Sequence, residues 1–161
     1  MSLLFILVLW VHLFSAIILV GGSFFIWLVV WPASFTITEN EAERTRIVGR
    51  VAKRFAYFSH GTVTLLFLSG AYLAWPYVVA PGLALTTLRG EVLLAKVATV
   101  VVTIALMYAN NLYHGRKIMR LAAQGRLDDV RRVRKLTHIA SYVTLGLLLV
   151  ITVLGATLVA L

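Results

Sequence analysis

Four long apolar runs, separated by polar stretches, divide the chain. They cover residues 3–31, 56–79, 92–113 and 138–161. The hydrocarbon core of a bilayer is about 30 Å thick and takes roughly 20 apolar residues as an α-helix to cross, so each run is long enough to span it. We therefore predict an all-α integral membrane protein, a four-helix bundle formed as one domain by residues 1–161. The first run has no basic residue before it, so we expect a retained helix rather than a signal peptide.

The polar stretches between the runs also carry helix signals. Thr38 and Glu41 have the spacing of a capping box, which predicts a short helix in the first loop running toward the second span. In the third loop we expect helical extensions of the neighbouring spans, broken near Gly125.

The composition agrees with a membrane protein and excludes several kinds of chemistry. Apolar residues make up 61% of the chain and charged residues 13%, against about 45–50% and about 25% in soluble domains. The chain has no cysteine, which excludes disulfides, thiolate metal sites and cysteine catalysis. It also has no serine hydrolase set, glycine-rich phosphate loop or zinc-protease motif, so we expect neither hydrolysis nor phosphoryl transfer.

The basic residues predict the orientation of the spans. The net charge is +9, and 13 of the 15 Lys and Arg lie in the loops 32–55 and 114–137, whereas the connection 80–91 holds only Arg89. Because basic loops are retained in the cytoplasm, we expect these two loops inside and both termini outside, in a multi-pass protein of the inner or plasma membrane. We therefore expect the positive charge to lie at the lipid bilayer, and we expect no nucleic-acid partner.

Five ionisable side chains fall within the apolar runs or at their ends. They are His12, His60, Lys96, His114 and His138. An ionisable group in hydrocarbon is costly, so each is a functional candidate. At a rise of about 1.5 Å per residue, the first histidine and the lysine share an outer depth. The other three histidines form an inner cluster.

The third run has one polar face along nearly its whole length. At 100° per residue, six side chains fall within about 60° of one another: Lys96, Thr99, Thr103, Met107, Asn110 and His114. The threonines and the asparagine could simply bond neighbouring helices or their own backbone. The ammonium needs a carboxylate, a cofactor propionate or water, and Glu91 is the only acidic residue near its depth.

Imidazoles inside a helical bundle are typical of haem ligation. His60 and His138 lie at matching inner depth and would hold one haem b. His12 would hold a second, outer haem with Lys96, water or an open position opposite. Our first hypothesis is therefore a membrane b-type cytochrome with one or two haems, an oxidoreductase that transfers electrons to or from a quinone or a redox partner protein.

Three stretches resemble a known family of membrane proteins. The run from His12 to Phe25, with Gly21 and Gly22, resembles the first helix of the copper-resistance D (CopD)-like proteins, and Ser69–Leu73 resembles their Ser-Gly element. Leu88–Val97 resembles their Gly-x-x-Leu-x-x-Lys motif. The related HemJ-type protoporphyrinogen oxidases, which are associated with haem b, share the early histidine and the helix-embedded lysine. The resemblance implies a ligand role for the histidine and a functional role for the lysine.

The resemblance also opens alternatives to the cytochrome. Trp31–Ser34 stands where the HemJ pattern has an Arg- and His-bearing segment, which argues against porphyrinogen oxidation. A second hypothesis is CopD-type transport of copper or a small solute, with His12 and Lys96 on the pathway. Sulfur ligands for Cu(I) are scarce, because Met1, Met107 and Met119 are the only methionines. A third hypothesis is a non-catalytic accessory subunit of a respiratory complex. For the assembly of the protein, we expect either a homo-oligomer or a subunit of a complex.

Overall fold

The computed structural model describes residues 2–79 and 87–161. All regular structure in these ranges is helical. The α-helices are α1 (Leu3–Phe25), α2 (Trp31–Ile37), α3 (Glu41–Val79), α4 (Leu88–Ala109), α5 (Arg116–Ala123) and α6 (Leu127–Ala160). Contacts group the chain into two compact units, Met1–Thr87 and Leu88–Leu161. Most of the predicted middle connection, residues 80–86, lies outside the described residues.

In the first unit, α1 passes into α2 through a π-helical turn at Ile26–Val30. Pro32 follows this turn as one of the first residues of α2. Proline has no N–H, so it cannot bond the carbonyl four residues earlier, and a wider turn absorbs the missing bond. The first helical stretch therefore extends to Ile37, beyond the predicted end at residue 31.

The predicted capping box in the first loop is displaced by two residues. Asn40, not Thr38, caps α3, because its side-chain oxygen accepts hydrogen bonds from the backbone N–H groups of Ala42 (2.9 Å) and Glu43 (3.3 Å). The Thr38 hydroxyl instead donates to the Glu43 carboxylate at 2.8 Å. Asparagine is as good a cap as threonine, and α3 begins at Glu41 and continues without a break into the second span.

Small polar side chains fill the contact between α1 and α3. The buried residues of these two helices are Ser15, Leu19, Ser59, Thr62 and Ser69. Each of the three α3 hydroxyls donates to a carbonyl four residues earlier in its own helix, so none is left unsatisfied. Small residues let two helix backbones approach closely inside a membrane.

In the second unit, α4 passes through a π-helical turn at Asn110–Gly115 into α5, and α6 returns beside them. The break predicted near Gly125 is confirmed. This glycine has φ +69° between α5 and α6, a left-handed conformation that glycine adopts at little cost.

The α4 and α6 pair is antiparallel and keeps its register. Lys96 of α4 lies against Gly155 of α6, and Asn110 of α4 bonds Ser141 of α6. Each pair of positions is separated by 14 residues on its own helix, so the two helices stay in step over about 21 Å.

The prediction of an all-α fold with four membrane spans is confirmed. In the described ranges, four helical stretches are long and apolar enough to cross a bilayer: Leu3–Ile37, Glu41–Val79, Leu88–Ala123 and Asp128–Ala160. Large apolar side chains such as Trp10, Phe67 and Val153 point outward and are more than 60% exposed. Such a surface is stable only in contact with lipid. Whether both units form the predicted single domain stays a prediction.

Candidate functional site

His12 lies at the contact between α1 and α3, where two consecutive small residues of α3, Ser69 and Gly70, lie against its ring. Its Nδ1 atom lies 2.9 Å from the Ser69 hydroxyl oxygen. That hydroxyl lies 2.5 Å from the Leu65 carbonyl oxygen, one turn earlier on α3. We call His12, Ser69 and the neighbouring Gly70 the His12 site. It joins the early histidine and the Ser-Gly element that carried the family resemblance.

The donation from Ser69 to Leu65 favours one tautomer of a neutral His12. A serine hydroxyl has one hydrogen, and in Ser69 it is donated to Leu65. With that hydrogen on Leu65, the Ser69 oxygen suits an imidazole that carries its hydrogen on Nδ1 and its lone pair on Nε2. Metal-binding histidines commonly have this arrangement, in which one ring nitrogen donates to a supporting group and the other provides the ligand atom.

Gly70 provides the space for the imidazole. A Cβ atom at position 70 would lie 3.2 Å from Cε1 and 3.7 Å from Nδ1 of His12. The first distance is closer than ordinary van der Waals contact, so a side chain would displace the ring. Gly61, nine residues earlier on the same helix, has nothing within 4 Å of the corresponding point. Gly70 therefore acts on the His12 ring in a way that Gly61 does not.

In the second unit, the Lys96 ammonium lies over a glycine. A Cβ at Gly155 would lie 3.2 Å from Nζ and 3.7 Å from Cε of Lys96. No carboxylate in the described part of this unit pairs with Lys96, and Asp128 and Asp129 pair with arginines of α6 or its N-cap instead. Within its own unit, the ammonium lies in an apolar helical span and has no carboxylate partner, although Glu91 lies five residues earlier on the same helix.

The polar face of α4 contacts α6 at a second point. The Asn110 amide donates to the Ser141 hydroxyl at 3.0 Å, and its oxygen lies 3.1 Å from Nδ1 of His114. Between these polar ends, Thr103 is buried and donates to the Thr99 carbonyl. The predicted polar face therefore contacts α6 at Lys96 and Asn110.

Within the first unit, the second histidine does not join His12. His60 is exposed on α3, nine residues or about 14 Å along the helix from Ser69. His138 is half-buried and lines an open groove with basic residues of α6. In the described parts of the chain, no three His, Asp or Glu side chains form a metal-binding group. The predicted ligand roles of His12, His60, His114, His138 and Lys96 stay predictions.

Sequence reasoning did not identify the partners of these side chains. Ser69 and Gly70 were part of a motif, but nothing in the sequence aligned them with His12 across two helices. Gly155 was not predicted to have any role. One sequence signal was available for it. Gly155 lies 14 residues after Ser141, and Asn110 lies 14 residues after Lys96, so the two pairs can meet at matching levels of antiparallel helices.

The fold and these sites define a multi-pass helical membrane protein with a supported histidine in one span and a lysine in another. The sequence profile of CopD, copper resistance protein D, matches residues 49–158, more than half of the chain. The chain belongs to the CopD family. The matched range includes Ser69, Gly70, Lys96 and Gly155, and the predicted CopD-like resemblance is confirmed. No curated protein and no solved structure matches the chain.

Proposed function

We propose that this protein is a CopD-type copper-handling membrane protein in which His12 binds the copper ion on its way into or through the membrane. The family match supports copper as the cargo. The observation that carries the proposal is the hydrogen-bond chain from His12 through Ser69 to the Leu65 carbonyl, because it directs a lone pair to Nε2.

The chemistry of the site suits transient binding of copper. Imidazole is a good copper ligand, whereas tight Cu(I) sites use several sulfur ligands. The chain has no cysteine, and the described residues contain no cluster of three ionisable ligands. A single supported imidazole favours exchange of the ion over storage, as transport requires.

Lys96 has a separate role in the proposal. An ammonium in an apolar span attracts anions and repels cations, so it would not bind a bare copper ion. We propose that it attracts the anion that accompanies copper, such as chloride or a small carboxylate. This role explains why a costly charge is retained over Gly155.

The test is copper uptake into proteoliposomes that contain the full-length protein. We expect uptake with the wild type, loss of uptake with His12→Ala, and at least a severalfold reduction with Ser69→Ala. Ser59→Ala is the matched control. Ser59 is also buried on α3 and also donates to a carbonyl four residues earlier, that of Phe55, but this hydrogen bond involves no histidine. Equal uptake by wild type and His12→Ala would contradict the proposal.

The b-type cytochrome is the competing function. Two axial imidazoles must lie at one level on facing helices, and within the first unit His60 lies about 14 Å from the level of His12. That unit therefore does not fit a bis-histidine haem at His12. The predicted pairing of His60 with His138 joins residues of different units and stays a prediction. A Soret band in protein purified after haem-sufficient expression would favour the cytochrome.

We also propose that the basic loops 32–55 and 114–137 face the cytoplasm, because they hold 13 of the 15 basic residues. The absence of native cysteine makes this simple to test. A cysteine introduced at Gln124 should react with a membrane-impermeant reagent only in inverted vesicles, and one introduced at Ser2 only in intact spheroplasts. The opposite pattern would reverse the orientation.

A further inference from the structure

A basic stripe lies on α6, where the polar first part of the helix meets its apolar remainder. Its members recur at spacings of three and four residues, so they share one helix face. They line an open groove of about 310 Å³: Arg131, Arg134, Lys135, His138, Ile139 and Tyr142. Nothing in the transport proposal uses this groove.

The charge of the stripe is strongly positive. Four permanent cations and one histidine occupy the eight positions 131–138, and three of these cations line the groove. The acidic neighbour Asp128 lies 3.5 Å from Arg131, but both side chains are more than half exposed. Exposed pairs of this kind contribute little free energy, so the ion pair does not cancel the attraction of the stripe for an anion.

The stripe lies at the level of lipid headgroups. The apolar part of α6, Ile139–Ala160, has 22 residues and is about 33 Å long, which matches the hydrocarbon thickness. Lys135 and Arg134 then lie about 6–8 Å beyond its end, within the headgroup layer. Tyr142 lies one turn inside the apolar part, and its side chain points back toward the N-terminal end of the helix and the polar boundary.

We propose that the basic stripe binds the headgroup phosphate of an anionic phospholipid such as phosphatidylglycerol. Arg131, Arg134 and Lys135 bind the phosphate, since guanidinium and ammonium groups match phosphate oxygens. Ile139 and Tyr142 are exposed and continue the groove into the apolar layer, where the glycerol and upper acyl chains lie. This apolar continuation favours a lipid over free phosphate.

Native mass spectrometry of the full-length protein, with phosphatidylglycerol or phosphatidylcholine added, tests the proposal. We expect the wild type to retain phosphatidylglycerol preferentially. The variant R131Q/R134Q/K135Q should bind it at least about tenfold more weakly. The matched control R116Q/K117Q/R120Q removes three exposed cations from α5 in the same unit, and its affinity should stay within twofold of the wild type.

Three outcomes would overturn the proposal. Equal losses in both triple variants would show a general effect of charge. An equal preference of the wild type for the two lipids would show no anion recognition. Binding of inorganic phosphate as strong as that of phosphatidylglycerol would assign the groove to a free anion.

A second measurement needs no variant and holds even if the triple substitution unfolds the protein. A photoactivatable phosphatidylglycerol, incorporated with the wild-type protein into nanodiscs, should crosslink chiefly to the peptide that contains residues 131–142. Equal crosslinking to the basic stretch 44–54 of α3 would contradict a specific site on α6.

Discussion

The two units use the same architecture but support their ionisable groups differently. In each unit, two long antiparallel helices pack around small residues and bring one ionisable side chain against a glycine of the partner helix. In the first unit, His12 contacts Gly70 and is also bonded to Ser69. In the second, Lys96 lies over Gly155, and no carboxylate of that unit pairs with its ammonium group.

The first unit orients its ionisable side chain by a hydrogen bond, whereas the second unit gives its ammonium group space but no carboxylate partner. The His12 ring is held by a hydrogen bond to Ser69 that favours hydrogen on Nδ1, which suits the proposed coordination at Nε2. The Lys96 side chain has space but no fixed anionic partner within its unit, as a group that meets a passing anion requires.

The largest effect is expected for Lys96→Met, which keeps the unbranched stem and removes the charge. Burying an ammonium in a span costs about 2.5–3.5 kcal/mol, so we expect the free energy of unfolding to rise by roughly 1–3 kcal/mol. Copper uptake should fall about tenfold or more. Thermal unfolding and proteoliposome uptake measure the two quantities.

Lys53→Met is the control for Lys96→Met, because Lys53 is exposed near the start of α3 and should change neither quantity much. If Lys96→Met destabilised the protein, Lys96 would be a structural residue and the comparison between the units would fail.

An intermediate effect is expected for Asn110→Ala, which removes the hydrogen bond to Ser141 between α4 and α6. Such bonds in membrane proteins contribute about 0.6 kcal/mol and up to about 1.7 kcal/mol. We expect destabilisation in that range in a reversible unfolding assay. Thr99→Ala removes a hydroxyl on the same polar face that bonds only its own helix. It should cost less, and equal losses would show that the bond between the helices adds nothing.

The smallest structural change is Gly70→Ala. The new methyl group would meet Cε1 of His12 at 3.2 Å, so the ring must move by a few tenths of an ångström. We expect copper affinity to fall severalfold with little loss of stability. Gly61→Ala has open space on the same helix and, through helix propensity, could stabilise α3 by up to about 1 kcal/mol. Equal copper affinity in the two variants would remove Gly70 from the site.

The spans and the break at Gly125 could be predicted from the sequence. The length of an apolar run and the ability of glycine to adopt a left-handed conformation are properties of one short stretch of chain. The sequence placed Lys96, Thr103 and Asn110 on one face for the same reason. The pairings of His12 with Ser69 and of Lys96 with Gly155 depend on the register between helices, which no single helix determines. The helices predicted within the loops 32–55 and 114–137 are confirmed, because helix capping and helix propensity are also local properties.

The most direct test of the central claim is nitrogen NMR of histidine-labelled protein, with His12 assigned by the loss of its signals in His12→Ala. Our account predicts that neutral His12 carries its hydrogen on Nδ1, and that added Cu(I) shifts the Nε2 resonance while Nδ1 stays protonated. An Nε2-protonated ring, or an Nε2 resonance unchanged by saturating Cu(I), would contradict it.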